Sequence, residues 1–286
     1  QKVNIKLFRQ GPKDIRLNDT KISQKELIGT LNTVIFCPED LQLIKGTPSG
    51  RRRFLDMEIS QTSAIYYHQL MQYNRLLQQR NAVLKEYRGK NTIPLEEWDL
   101  QLADMASFIV KKRLESLKKI NLLIDLMNRK LTGGLENLTI GYEQPYMDNG
   151  SLEYTKEGFY ERIKAALPQD RHRLSTSVGP HRDDLRFFSD AMDLKKFGSQ
   201  GQQRTAVLSL KLSELEFIKS EVGEYPVLLL DDVLSELDES RRANLLQFIH
   251  KRIQTFITTT DIHDFKDLKS VQFISCEGGQ VQYGQP

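Results

Sequence analysis

The 286 residues are 39% hydrophobic and 28% charged, with only 17 glycines and 9 prolines, a composition that can bury a substantial core and excludes wholesale disorder. A formal net charge of +3 is too small to imply nucleic-acid binding by itself, so any such contact must come from local patches. The longest strongly apolar run, Val227–Leu230, is far short of the roughly 20 residues of a membrane helix, and no basic segment followed by an apolar run opens the chain.

Cys37 and Cys276 are the two cysteines, far apart and without zinc-ligand spacing, so a reducing, cytoplasmic setting is expected. The chain opens Gln1-Lys2-Val3, inside what reads as a strand and without a methionine, which suggests a piece of something longer.

Val3 to Phe8 alternates in polarity, Gly11-Pro12-Lys13-Asp14 breaks the run, and Ile15 and Leu17 lead into Asn18-Asp19. The pattern predicts a hairpin of half-buried strands. Thr33–Phe36 is a short β-rich run stopped by Pro38, a further strand. Arg51-Arg52-Arg53 follows Pro48 and Gly50 and precedes a helix. Two readings stand for it: binding of backbone phosphate, or pairing with acidic neighbours such as Asp56 or Glu58. Tyr66, Leu70, Tyr73, Leu77, Leu84 and Tyr87 then fall at helical spacing, interrupted only by Arg80. Leu95, Trp98, Leu102, Met105 and Ile109 begin a second series, which resumes through Leu117, Ile120, Ile124 and Met127 until Gly133-Gly134. These predict two long amphipathic helices packed antiparallel as plain core. Lys111-Lys112-Arg113 and Lys118-Lys119 read as solvated faces. Leu138–Tyr142 is a predicted strand and Lys156–Leu167 a short helix ended by Pro168.

Beyond Leu174 the motifs that carry chemistry crowd together. In Gly179-Pro180-His181-Arg182-Asp183-Asp184, His181 and Arg182 are candidates for contacts to phosphate of nucleotide or DNA, while Asp183 and Asp184 could equally form a structural turn with Arg186. Phe197-Gly198-Ser199-Gln200-Gly201-Gln202-Gln203-Arg204 leads into a helix over Thr205–Lys219. Its glycines permit close backbone approach, Ser199 can cap the helix, and a helix amino end favours phosphate, although such a Gly-x-x-Gly can also be only a turn. Pro226–Leu230 has the unalternating apolar texture of a strand buried on both faces, and Asp231-Asp232 close its carboxyl end, where open α/β sheets place ligands. An acidic pair there can hold Mg2+ through Asp231 and orient the attacking water through Asp232, or it can merely cap a turn. Ser235-Glu236-Leu237-Asp238 follows, with Asp238 as the N-cap of a helix from Glu239. Phe256–Thr260 is read as a second buried strand. No Gly-x-x-x-x-Gly-Lys-Ser/Thr loop occurs in these residues.

With these residues in view, the chain resembles a family. Ser199-Gln200-Gly201-Gln202 is similar to the signature motif of ATP-binding-cassette ATPases, Asp231-Asp232 to Walker B, and Ser235 to Asp238 to the D-loop, in the arrangement of the structural-maintenance-of-chromosomes branch. Phe36–Leu41, Gly50–Asp56, Gly179–Asp184, Gly198–Arg204 and Leu228–Asp232 narrow the resemblance to the bacterial RecF family. It implies an α/β fold: part of a cassette-type ATPase lobe, parallel sheet plus antiparallel hairpin, with an inserted, mainly helical lobe. The expected division is 1–38 and 214–286 for the ATPase lobe and 39–213 for the helical lobe. The resemblance further implies ATP and Mg2+ as cofactors and a head-to-tail homodimer closed by ATP. In it Ser199, Gln200, Gly201 and Gln202 act in trans, Asp231 and Asp232 in cis, and Ser235 and Asp238 lie at the seam. The implied partners are DNA at single-strand/double-strand gaps and recombination mediator proteins, with help in recombinase loading and no membrane. A Walker A segment is expected before Gln1, and the 286 residues alone are expected to hydrolyse no ATP. Asp232 stands where cassette ATPases commonly carry glutamate, which implies slow turnover. The switch histidine aligns near Thr260, with His263 displaced from it, and the glutamine of the loop between lobes is replaced by Cys37–Glu39. A non-catalytic DNA- or protein-binding scaffold on the same fold is the alternative; a nuclease-linked relative is disfavoured by the short tail after Asp264.

Overall fold

The computed structural model describes residues 2–88, 94–134, 136–146, 154–260, 265 and 271–283. Near the amino end β1 (Val3–Lys6) and β2 (Asp14–Leu17) form the expected antiparallel hairpin, extended by β3 (Thr20–Lys21). β4 (Thr33–Phe36) then enters a different, parallel sheet.

A helical array follows. The Pro38–Leu41 turn and the short helix α1 (Gln42–Lys45) lead into α2 (Pro48–Thr62), α3 (Ala64–Glu86) and α4 (Glu96–Thr132). Pro48 occupies the first turn of α2, where its missing N–H costs nothing. Arg51–Arg53 therefore lie inside a helix rather than ahead of one. Ser63 caps α3 by accepting from the Tyr66 N–H, and Gly133 at φ 68° ends α4 in the left-handed conformation that glycine tolerates. Tyr66 at the start of α3 meets Arg113 in mid-α4, and Arg80 near its end meets Asp99 in the first turn of α4, so the two helices run antiparallel, as expected.

β5 (Leu138–Glu143), β6 (Asp184–Ser189) and β7 (Met192–Asp193) form an antiparallel sheet. Between β5 and β6 lie α5 (Lys156–Ala165) and α6 (Leu167–Arg173). Pro168 sits in the opening turn of α6, so it starts a second helix as well as closing the first. α7 (Gln200–Val222) crosses the molecule for about 35 Å. Its middle is buried nearly all round, and it packs on α4, α2 and β4.

After α7 the chain returns through β8 (Val227–Asp231), α8 (Glu239–Ile249) and β9 (Thr255–Thr258). The parallel sheet runs β4-β8-β9, with β8 central. Its two faces differ. Val34, Leu228 and Leu230 are buried, whereas Ile35 and Phe256, in register with Leu229 on the other face, are 51% and 53% exposed. The expectation of strands buried on both faces thus holds for one face of the described chain. β10 (Ile274–Glu277) and β11 (Gln280–Tyr283) make a final exposed hairpin. The fold is mixed α/β, with a parallel sheet, antiparallel hairpins and a helical insertion between β4 and β8. Among the described residues no helix is long and apolar enough to cross a membrane.

Candidate functional site

β8 delivers Asp231 and Asp232 to the carboxyl edge of the parallel sheet, both exposed. Thr258, at the matching end of β9, ties the pair to the neighbouring strand. Its hydroxyl donates to Asp231 Oδ1 (2.7 Å) and its Oγ1 accepts from the Asp232 N–H (3.0 Å). Asp232 adopts φ 52°, a left-handed turn that swings the chain out of the strand and into the next loop. Ser235 donates to the Asp232 carbonyl (2.8 Å), and Asp238 caps α8 by accepting from the Arg241 N–H (2.9 Å). That N–H bond and the Arg241 side chain hold the Asp238 carboxyl below its ordinary range.

Ser199, Gln200 and Gly201 are exposed at the amino end of α7. The Ser199 hydroxyl accepts from the Gln202 N–H (3.2 Å), and the Gln202 side-chain oxygen accepts from the Ser199 N–H (3.0 Å), a reciprocal capping box. Gln202 also donates to Glu136 (3.1 Å). Gly201 faces open space: a side chain there would meet only Ser199 Oγ, at 4.0 Å. The turn thus offers a rigid, uncovered helix end to a ligand or partner surface. One turn further along, Arg204 and Val207 of α7 share a small cavity with Phe36 at the end of β4, Cys37 and Leu41 after it, and Val233 and Leu237 after β8. The loops that follow β4 and β8 therefore meet beside α7.

Behind that cavity lies a buried cluster. Lys211 of α7 pairs with Asp40 (3.4 Å) and Glu214 (3.3 Å), with Glu58 of α2 close by. Among the described residues, Glu58 Oε2 and Glu214 Oε1 have no hydrogen-bond partner. Burial pushes the Glu58 carboxyl up to about 7, Lys211 pulling it down and Asp40 pushing it further up. Because the folded pKa is raised, the stabilisation from the neutral carboxyl is complete below the ordinary value of 4.5 and is lost as pH rises through about 7. Glu58→Gln stays neutral throughout. Thermal melts should show the variant more stable than the parent at pH 8 and no more stable at pH 5; an unchanged difference across that range would contradict the assignment.

The remaining predicted contacts are placed as follows. Arg51 is 3% exposed and grips Asp184 with two bonds (2.7 and 2.9 Å), and it also donates to the Gly46 carbonyl. Its acidic partner is thus Asp184, 133 residues away, rather than Asp56 or Glu58. Arg52 donates to the Asp183 carbonyl (2.7 Å), and Arg53 is exposed. His181 lies between the Tyr73 hydroxyl (2.6 Å) and the Thr176 carbonyl (3.0 Å), and burial lowers its pKa to about 4, so it is neutral near pH 7. Arg182 donates to the same carbonyl (2.7 Å). Gly179, at φ 130°, lets the loop pass so close to Tyr73 that a Cβ would stand 2.4 Å from its hydroxyl. Asp183 joins Tyr142 and Arg113, and Arg186 pairs with Glu143 instead of closing a turn with either aspartate. The Gly179–Asp184 motif is therefore a folded junction between α2, α3, α4 and β6. Thr260 is described just past β9, and His263 lies outside the described residues.

Sequence reading missed two internal hubs. Arg80, which interrupts the apolar series of α3, is fully buried and binds Asp99 and Asp170 (both 2.6 Å) and Thr176 (2.9 Å). Arg113, expected on a solvated face, is 2% exposed and binds Asp56, Asp183 and the Pro180 carbonyl. Lys111, Lys118 and Lys119 do face solvent.

No family model matches the chain. Among curated proteins it is 47% identical over 270 residues to the DNA replication and repair protein RecF of Alkaliphilus oremlandii, covering 93% of this chain and 73% of that protein. Against the RecF of Clostridium botulinum it is 46% identical over 282 residues, covering 97% and 77%. A solved structure of the recombination mediator protein RecF-ATPrS in the RecFOR pathway matches with a TM-score of 0.88 at 36% identity, covering 98% of this chain and 76% of that one. RecF-ATP in the same pathway matches at 0.86 and 37%, with the same coverage. The α/β architecture described above is the architecture of those proteins.

Proposed function

The chain belongs to the RecF family of DNA replication and repair proteins, and from that premise we propose that it is the head of an ATPase closing head to tail on DNA when ATP is bound. The observation that carries this reading is the uncovered amino end of α7. Ser199, Gln200 and Gly201 point away from the body of the monomer, on a helix end suited to the γ-phosphate held by a second copy. Asp231 and Asp232 serve the nucleotide of their own copy. Their hard carboxylate oxygens on an exposed strand end fit Mg2+, with Asp231 as its holder and Asp232 beside it for the attacking water. When bound, Mg2+ neutralises charge on the phosphates.

Ser235 and Asp238 lie on the loop that leaves this site, which supports their place at the dimer seam. The two-lobe division follows, with α7 as a continuous helix spanning the 213/214 boundary. DNA at gaps, mediator proteins of the same pathway and assistance to recombinase loading belong to the same proposal. Closure neutralises phosphate charge, so DNA affinity depends on both nucleotide and salt. The test is sizing of the protein together with the Walker A segment that the resemblance places before Gln1. ATP should convert it to a dimer, and Ser199→Arg, which puts bulk and charge on the exposed turn, should keep it monomeric with ATP bound. Dimerisation by the variant equal to that of the parent would refute the arrangement.

A further inference from the structure

One groove is unexplained by nucleotide chemistry. α2 presents Arg52, Arg53, Asp56 and Met57 to it, and α3 presents Tyr67, Leu70 and Met71. Arg52 with Asp56, Arg53 with Met57, and Tyr67 with Leu70 and Met71 stand three or four residues apart, so one face of each helix lines a cleft that Pro180 and His181 also border.

Its charge is one-sided. Asp56 is held by two bonds from Arg113, and Arg51, on another face of α2, is satisfied by Asp184. Arg52 donates to a backbone carbonyl and, among the described residues, makes no ion pair of its own, while Asp56 and Asp184 beside it are taken by Arg113 and Arg51. Arg53 is exposed, with no acidic side chain in ion-pair range among the described residues. Thr47 makes no side-chain cap at the start of α2, so the positive end of that helix adds to the field. Beyond the arginines the wall turns apolar: Met57 and Met71 are 52% and 42% exposed, and thioethers adapt to varied partners.

We propose that this groove docks a short acidic segment of a partner protein. Its carboxylates lie against Arg52 and Arg53, and its apolar side chains lie on Met57, Leu70 and Met71. The surface fits a peptide better than a nucleic acid. Two adjacent guanidinium groups replace a row of cations at phosphate spacing, and an aspartate stands in the cleft. Of the two tyrosines that line it, Tyr73 is 2% exposed and bonded to His181, which leaves Tyr67 alone as an aromatic face where a run of bases needs several. The site needs no nucleotide, so its success or failure is separate from that of the ATPase reading.

The test is fluorescence anisotropy without ATP. The probe is a labelled twelve-residue peptide of alternating glutamate and leucine, set beside its glutamine-for-glutamate counterpart and a labelled oligothymidylate. The acidic peptide should bind saturably. The glutamine peptide on the parent protein, and the acidic peptide on Arg53→Glu and Met57→Asp, should each bind about tenfold more weakly or worse. Both side chains are exposed, so circular dichroism of the variants should match the parent. Equal affinity for the two peptides overturns the proposal even if a variant misfolds. So does insensitivity to both substitutions, or an Arg53→Glu effect confined to the oligonucleotide.

Discussion

Arg113→Met is expected to lower the free energy of unfolding by about 3–5 kcal/mol, the cost of stranding buried carboxylates whose main hydrogen-bonded cation has been removed. Arg113 makes two bonds to Asp56 (2.9 Å each), one to Asp183 (3.3 Å) and one to the Pro180 carbonyl (2.7 Å), with the Tyr66 and Tyr142 hydroxyls alongside. Burial opposes its charge, but Asp56, the two tyrosines and Asp183 outweigh that and hold its pKa well above the ordinary value. Methionine fills similar space and supplies no donor. Asp56 and Asp183 would then have to take up protons or draw in water, and the junction between α2, α4 and β6 would loosen. Thermal melts should fall by roughly 5–10 °C. Arg186→Met is the control. Arg186 is 40% exposed in its pair with Glu143, and loss of such a surface pair costs about 0–1 kcal/mol. Equal effects from the two substitutions would show that the buried network is not what holds the junction.

In the protein bearing the Walker A segment, Asp232→Asn is expected to reduce ATP turnover by about 100-fold or more, because the amide cannot accept a proton from the attacking water. The substitution should leave the fold alone: the bonds that fix this turn run from the Asp232 backbone, its N–H to Thr258 and its carbonyl from Ser235. Asparagine also tolerates the left-handed φ of 52°. ATP-driven dimerisation should therefore survive while hydrolysis is lost, in single-turnover assays beside sizing. A scaffold that borrows the fold would show neither ATP-driven closure nor hydrolysis to lose.

Much of this site was legible in the residues, since local chemistry determines it. An apolar run ending in Asp231-Asp232 could hardly be anything but a central strand meeting a loop, and Ser199 and Asp238 cap their helices because short polar side chains satisfy first-turn N–H groups. What escaped was decided by long-range pairing. Arg51, Arg52 and Arg53 are consecutive and chemically alike, yet the turn of α2 sends one to Asp184, one to a backbone carbonyl and one to solvent. Nothing local separates them. The break at Arg80 in the α3 series was visible, but its acidic partner Asp170 lies 90 residues away. Arg113, in a basic run, gave no sign of burial beyond its phase with Ile109, Leu117 and Ile120 along α4. Two local signals were overlooked: Pro48 and Pro168, prolines in a first helical turn, mark the starts of α2 and α6.

In the proposed dimer, each nucleotide would be served by the carboxylate pair of the copy that holds it and by the α7 end of the other copy. Mixing two inactive proteins tests this directly. Ser199→Arg and Asp231→Asn, each bearing the Walker A segment, should be inactive alone. Mixed in equal amounts, Ser199→Arg can close only on the unblocked α7 end of Asp231→Asn, and each such mixed dimer holds one intact composite site of two, so ATPase activity should return, up to about half of the parent's. No recovery, with mixed dimers shown to form, would contradict the arrangement.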